Sequence, residues 1–281
     1  MASPAAIGGG ALGAAAIGVG GAYLAGAFEG KGDSEVEVEP NRVLLVNETD
    51  FSSVYSTADW IGKEYKNYLV APIGSKGEGN LKTDNQKWWE WSYKRWQADS
   101  GKTDNDLSDE FKNKDKVSSD FSDSTATSNT SPKALNKVCE AVYKQNKSTI
   151  TTLESSPDNQ SRLKRDLFKY CSVLGEVKTI SEAKEVYGSN TKGKEDANVK
   201  KFVAVNGNDK FWKVRNEEFY TDGDGDKSKS KVTDNSSNEF KVKSSENSRS
   251  EIRVICKEAY ESGTTDTQNY PSADMEKFCT L

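Results

Sequence analysis

The sequence predicts a mainly α-helical protein made of two tandem copies of one small, disulfide-stapled module, preceded by an N-terminal hydrophobic helix. Three observations predict this fold class: a pattern in the first half that returns in the second, helical spacing of apolar residues around the cysteines, and a charge-free start of the chain. An α+β fold is the alternative, because VLLV at 43–46 and FVAV at 202–205 have the composition of short strands.

The repeat is clearest around the four cysteines. DLFKYC at 166–171 returns as DMEKFC at 274–279. In each half the other cysteine is followed, four residues later, by a tyrosine, Tyr143 in the first half and Tyr260 in the second. Because these landmarks occur in the same order, we interpret the four cysteines as two equivalent pairs on two copies of one module.

The repeat divides the body of the chain into module one, residues 41–174, and module two, residues 175–281. With 34% apolar and 30% charged residues overall, each module has a small core of the kind that commonly needs a cross-link. Each module also carries a polar insert before its first cysteine helix, at 99–131 and at 221–250. Such a composition buries too little apolar surface to order itself, so we expect both inserts to be mobile loops.

The cysteines occupy positions that favour two disulfides. In each module the first cysteine lies early in one predicted helix and the second lies late in the next, and these positions are adjacent in an antiparallel helix pair. The repeat therefore favours the pairs Cys139–Cys171 and Cys256–Cys279, each worth about 3–4 kcal/mol in the chain-entropy model. The alternatives are four buried free thiols, a four-thiolate zinc site, which lacks a close cysteine pair, and a nucleophilic cysteine, which lacks a histidine.

The N-terminal segment 1–28 is rich in glycine and alanine and predicts a transmembrane anchor. Residues 4–28 carry no charge and are long enough to cross a bilayer. A signal peptide cleaved after Ala27 is the alternative, because the residues before that point have the small-x-small form of a cleavage site. The spacer that follows, 29–40, is mainly acidic, and basic flanks are the ones retained in the cytoplasm, so we expect the body to be extracellular.

Composition excludes several classes of function. The chain contains no histidine, which rules out Ser-His-Asp and Cys-His catalytic sites and every histidine-dependent metal site. The net charge of −5, without a stripe of Lys and Arg, argues against nucleic-acid binding. The sequence therefore predicts no catalytic, cofactor-binding or metal-binding residue, and we expect a protein that is not an enzyme.

The segment Trp88–Trp96 holds four tryptophans and a tyrosine among basic residues. One interpretation is a surface on which a carbohydrate stacks, with Trp88 and Trp91 as the stacking side chains. The other is a helix whose aromatic residues, at spacings of four and three, build the core of module one. A second aromatic segment at 209–220 takes the matching place in module two, which favours the core interpretation.

The combination of these features resembles the large sets of uncharacterised paralogous proteins of haemotropic mycoplasmas. A Gly/Ala-rich hydrophobic start precedes modules with a VLL opening, a cysteine in one helix and an aromatic-Cys pair ending the next. The resemblance implies a membrane-anchored, extracellular protein that is antigen-like or contacts the host, and it brings no catalytic residue with it. The residues that carry it are Val43-Leu44-Leu45, Trp60, Cys139, Tyr170-Cys171, Cys256 and Phe278-Cys279.

The expected function is that of a non-enzymatic, membrane-anchored surface protein, an antigen or a host-contacting protein, with variable loops facing outward. Its partners would be the membrane, through the N-terminal helix, and a host protein or glycan. The alternative is a carbohydrate-binding surface module that uses the Trp88–Trp96 segment.

Overall fold

The computed structural model describes residues 38–74, 84–102, 106–124, 133–152 and 157–281. The prediction of a mainly helical protein is confirmed. Within these ranges the helices, numbered α1–α10 in chain order, are Phe51–Val54, Ile61–Glu64, Gln86–Ser100, Leu135–Tyr143, Asn159–Cys171, Asp196–Val199, Asp209–Tyr220, Glu239–Lys243, Ile252–Glu261 and Ser272–Phe278. Short 3₁₀ turns lie at Leu45–Asn47, Lys147–Thr149, Lys192–Lys194 and Lys229–Lys231.

Strand structure is sparse in the described ranges. β1 (Val117–Ser119) and β2 (Lys133–Ala134) form a two-stranded parallel sheet. The two segments expected as strands do not form them: residues 43–46 run into a 3₁₀ turn, and residues 202–205 make isolated bridges. No ladder develops because these short extended pieces pair with different distant segments, one bridge at a time. The bridges are Leu44–Val70, Thr179–Val203 and Phe202–Thr280.

The helices α3, α4 and α5 form the first group. Their apolar faces meet in the core, where Leu135, Leu163 and Leu167 are almost completely buried. A capping box fixes the start of α5: the Asp158 carboxylate accepts from Ser161 N at 2.7 Å, and Asp158 N donates to Ser161 Oγ at 3.1 Å. These two bonds satisfy backbone donors that a helix start leaves unpaired, so α5 runs from a defined start to Cys171.

The helices α7, α9 and α10 form the second group. Ile252, Ile255 and Ala259 line the buried face of α9, at the spacing of three and four residues that the sequence predicts. Met275 and Phe278 of α10 are buried against the same core. Each group therefore places one aromatic helix beside two helices that carry a cysteine within them or directly after them.

The same hydrogen bonds occur in both groups, at positions that the sequence repeat equates. An asparagine at the start of the aromatic helix joins two extended segments, Asn85 in the first group and Asn208 in the second. A tryptophan four residues later, Trp89 or Trp212, donates its indole N–H to a backbone carbonyl. The carbonyl acceptors are Val43 and Ala71 for Asn85, Lys178 and Ala204 for Asn208, Ala71 for Trp89, and Ala204 for Trp212.

Both polar inserts contain packed residues, and the expectation of mobile loops is corrected for their described parts. The first insert packs through Phe111, whose ring centroid lies 5.9 Å from that of Tyr170. The second insert packs through Phe240 of α8, 5.6 Å from Phe278. Phe111 and Phe240 are both fully buried. In each insert, one aromatic side chain packs over the end of a cysteine-bearing helix and supplies apolar contact area. The average composition of the insert, which is polar, does not reveal this single residue.

Polar contacts join the first half of the chain to the second. The hydroxyl of Tyr68 lies 3.2 Å from the carboxylate of Glu218. Lys164 Nζ lies 2.7 Å from Glu182 Oε2, and both side chains are about nine-tenths buried. Because a buried ion pair that loses one partner leaves an uncompensated charge, removing either side chain would be costly.

The predicted anchor at 1–28 and the spacer at 29–40 lie outside the described residues, except for 38–40. In the ranges that the structure describes, no helix combines the length and the apolar composition needed to cross a bilayer.

Candidate functional site

All four cysteines are engaged in two disulfides. Cys139 of α4 is bonded to Cys171 of α5, and Cys256 of α9 is bonded to Cys279, which follows α10 directly. The Cα atoms are 5.8 Å apart in both pairs, and all four residues are 0% exposed. This is the pairing that the repeat favours, and the chain has no free cysteine.

A buried tyrosine accompanies each disulfide. Tyr143, one turn after Cys139, places its hydroxyl 2.8 Å from Val70 O and 3.0 Å from Cys171 O. Burial raises the pKa of the Tyr143 hydroxyl well above its usual value, so the group stays a neutral donor. Tyr260 repeats the arrangement in the second group, where its hydroxyl acceptors are Val203 O at 3.0 Å and Cys279 O at 3.2 Å.

The structure places Trp88 and Trp91 in the core. Trp88 is 0% exposed and donates its indole N–H to Glu39 at 3.0 Å. Trp91 is 9% exposed, and its ring is covered by Arg95 at 4.5 Å and Lys210 at 4.8 Å from the ring centroid. A stacked sugar needs an open aromatic face, which neither ring offers. The alternative interpretation of these two residues as a carbohydrate-stacking pair is therefore corrected.

Charged side chains gather around Trp91, where the first half meets the second. Glu39 lies 2.7 Å from Lys210 Nζ and 3.5 Å from Arg42 Nη1. Arg95 is the third cation, and its Nη1 atom is buried without a hydrogen-bond partner among the described residues. We call Glu39, Arg42, Arg95 and Lys210 the Trp91 charge cluster.

Burial and mutual repulsion shift the pKa values in this cluster. Burial lowers the pKa of Lys210 despite the charge of Glu39, and Arg95 and Arg42 lower it further. Burial likewise lowers the pKa of Arg95 against the opposing effect of Glu39. Although burial opposes it, the charges of Lys210 and Arg42 hold the pKa of the Glu39 carboxyl below its usual value. The cluster is therefore an ionised site with more positive than negative charge.

A second polar cluster surrounds Arg215, which is 1% exposed. Its guanidinium donates to Lys277 O at 3.1 Å and lies 3.3 Å from Glu218, without the alignment that a hydrogen bond from Nε requires. Lys227 donates to the same Lys277 carbonyl at 2.7 Å. Burial, followed by the charge of Arg215, lowers the pKa of Lys227 to about 8. Lys227 thus changes charge near pH 8, below the range that is usual for a lysine.

The second insert lines a surface depression of about 420 Å³. Apart from one glycine, the residues that line it are polar or charged, with both signs of charge, whereas typical small-molecule sites are lined mainly by hydrophobic and aromatic side chains. The depression therefore resembles a contact surface more than an enclosed pocket. Lining side chains include Asp222, Lys229, Ser230, Lys241, Ser245 and Glu246.

Sequence reasoning identified the disulfides and the tyrosines but missed both charge clusters. Glu39 and Lys210 are 171 positions apart in the chain, and no spacing rule links them. Among the residues that the structure describes, no group of three or more acidic or cysteine side chains is arranged to hold a metal ion. No family model, no curated protein and no solved structure matches this chain.

Proposed function

We propose that this chain is a non-enzymatic surface protein, tethered to a membrane by residues 1–28, that uses two copies of one disulfide-stapled module to present polar loops outside the cell. The observation that carries the proposal is the state of the cysteines. All four are consumed in two buried disulfides at corresponding places in the two halves.

The disulfides support an extracellular location. Structural disulfides form and persist in oxidising compartments, whereas cytosolic thiols are kept reduced. The two bridges span 32 and 23 residues, and each closes a loop whose cross-linking stabilises the fold by about 3–4 kcal/mol in the chain-entropy model. For helix groups of this size, that is a large share of a typical total stability of about 5–15 kcal/mol.

The matched hydrogen bonds support two copies of one module, 41–174 and 175–281. In both halves a tyrosine hydroxyl meets the carbonyl of the second cysteine, and a tryptophan indole meets an alanine carbonyl. Two unrelated helical folds would have no reason to reproduce these pairings. A duplicated module whose inserts differ in sequence provides a constant scaffold under variable surfaces.

The second insert is the surface that we assign to partner contact. Its depression has a mixed-charge, serine-rich lining, which suits the polar rim of a protein–protein contact. Phe240 fixes the insert to the core, so the exposed residues around the depression are held in place while their identities can vary. A host protein is the partner class that this arrangement supports.

Protease treatment of intact cells tests the proposal. We expect added protease to cleave the body of the protein in intact cells, while a cytoplasmic protein in the same sample stays whole until the cells are permeabilised. Cleavage should begin in exposed segments outside the two disulfide-linked helix pairs. A body that is degraded only after permeabilisation would place it inside the cell and refute the proposal.

A further inference from the structure

We propose that Arg42, Arg95 and Lys210 form a binding site for one oxyanion group, a carboxylate, sulfate or phosphate, beside the ring of Trp91. The site lies where the two halves of the chain meet, and it is distinct from the insert surface assigned to partner contact. The inference concerns only the chemistry of this site and holds wherever in the cell the protein is located.

The first argument is the balance of charge. Within the described part of the chain, Glu39 is the one carboxylate that forms ion pairs with Arg42 and Lys210. Its oxygens are already engaged, at 2.7 Å from Lys210 and 3.0 Å from the indole nitrogen of Trp88. Three cations therefore share one carboxylate in a partly buried place, where an unbalanced charge is costly.

The other carboxylate whose charge acts on Arg95, that of Asp99, does not correct this balance. Asp99, one turn after Arg95 on α3, accepts from Lys102 at 3.1 Å and from the Tyr170 hydroxyl at 2.8 Å, and lies 2.7 Å from Lys169. Its acceptor positions are directed to those partners. Asp99 contributes to the field around Arg95, but its hydrogen-bonding capacity is used elsewhere.

The second argument is an unused donor. Arg95 Nη1 is buried and has no acceptor among the described residues, although buried guanidinium nitrogens are normally hydrogen-bonded. The guanidinium group lies over Trp91 at 4.5 Å from the ring centroid, and Lys210 Nζ lies over the same ring at 4.8 Å. Two cations held against one indole are pre-positioned, so an incoming anion has little side-chain entropy to remove.

The third argument is the effect of the cations on one another. The pKa of Lys210 is lowered by burial and then by Arg95 and Arg42, in spite of Glu39. A bound oxyanion would oppose that lowering and satisfy the free guanidinium donor. Planar or tetrahedral oxyanions suit this site because a guanidinium offers paired N–H groups to two oxygens at once.

The test is a titration of the full-length chain, held in a neutral detergent, with sodium sulfate and with sodium phosphate at constant ionic strength set by chloride. The indole N–H resonance of Trp88 reports on the site because it donates to Glu39. We expect this resonance to shift with a saturating dependence on either oxyanion and to be insensitive to chloride.

Matched variants identify the site. Lys210→Gln should weaken sulfate binding at least tenfold, whereas Lys210→Arg, which keeps the charge, should stay within about threefold of the parent, consistent with one lost charge-assisted contact. Lys87→Gln is the control, because Lys87 is exposed and is the second residue of α3, as Lys210 is of α7. It should bind as the parent does.

Three outcomes would overturn the inference. The first is a shift that stays linear up to the highest sulfate concentration, and the second is equal binding by the parent and by Lys210→Gln. The third is saturable binding that emerges only after Glu35 and Glu37, two acidic residues of the spacer at 29–40, are both replaced by Gln. That result would assign the site to the chain's own carboxylates instead of an external ligand.

Discussion

The hydroxyl of Tyr143 lies 3.0 Å from the carbonyl oxygen of Cys171, the residue whose sulfur is bonded to Cys139 one helical turn before the tyrosine. One helix, α4, thus holds the end of α5 through a covalent bond and a hydrogen bond at the same point. Tyr260 and Cys279 repeat the relationship in the second half. Each disulfide is therefore part of a larger joint between two helices and an extended segment.

Replacing either tyrosine by phenylalanine removes a buried hydroxyl donor. The carbonyl of Val70 or Val203 then loses its hydroxyl partner, whereas Cys171 O and Cys279 O each keep a backbone N–H donor. We expect Tyr143→Phe and Tyr260→Phe each to lower the free energy of unfolding by about 1–3 kcal/mol. Urea denaturation of the oxidised protein measures the change. Tyr93→Phe is the control, since its hydroxyl makes a longer, exposed contact of 3.3 Å, and its effect should be smaller.

Removing one disulfide as a pair, Cys139→Ser with Cys171→Ser, should lower the free energy of unfolding by about 3–4 kcal/mol. Because all four cysteines are fully buried, we also expect dithiothreitol to reduce the disulfides of the native protein only slowly. Reduction should accelerate sharply once urea unfolds the chain. Rapid reduction without urea would contradict the buried geometry.

Lys227 predicts a specific dependence of stability on pH. Its pKa is lowered to about 8 in the folded protein by burial and by Arg215, against an unperturbed value of 10.5. Between these values the unfolded chain binds more protons than the folded one, so this group makes stability rise with pH, by at most about 1.4 kcal/mol per pH unit. The charges of Glu218, Asp226 and Lys277 also act on it.

The measurement is the difference in unfolding free energy between the parent and Lys227→Met from pH 7 to 10.5. We expect the parent to gain stability relative to the variant as the pH rises through 8. Lys229→Met, in the same insert, is the control, and the slope of its unfolding free energy against pH should equal that of the parent. The difference between parent and variant removes the contribution of the buried tyrosines. Their raised pKa values make the free energy of unfolding fall with pH near pH 10, in the opposite direction to Lys227. A flat difference would contradict the burial of Lys227.

Gly193 lies against the side chains of two tyrosines, which leaves no space for a side chain of its own. A Cβ atom there would come within 2.8 Å of Tyr187 and 2.9 Å of Tyr260. We expect Gly193→Ala to cost about 1–3 kcal/mol, as overpacking does. Gly101→Ala, whose Cβ would meet only Gln97 O at 3.6 Å, is the matched control and should change stability by less than about 0.5 kcal/mol. Thermal or urea unfolding distinguishes them.

The sequence was informative where short-range spacing has a physical meaning. The helices around Cys139 and Cys256 follow from apolar residues three and four apart, and the repeat of a tyrosine four residues after each cysteine marks equivalent joints. The inserts were misread because average composition hides single anchors such as Phe111 and Phe240. The Glu39–Lys210 contact depends on how the two halves meet, which no local pattern encodes.

A peptide map of native protein recovered from cells under non-reducing conditions, read by mass spectrometry, tests the central claim most directly. The account predicts two linked peptide pairs, Cys139 with Cys171 and Cys256 with Cys279, and no alkylated free thiol. Four alkylated cysteines would place the body in a reducing compartment and contradict the extracellular assignment. A link between Cys139 or Cys171 and a cysteine of the second half would contradict the two-module scaffold.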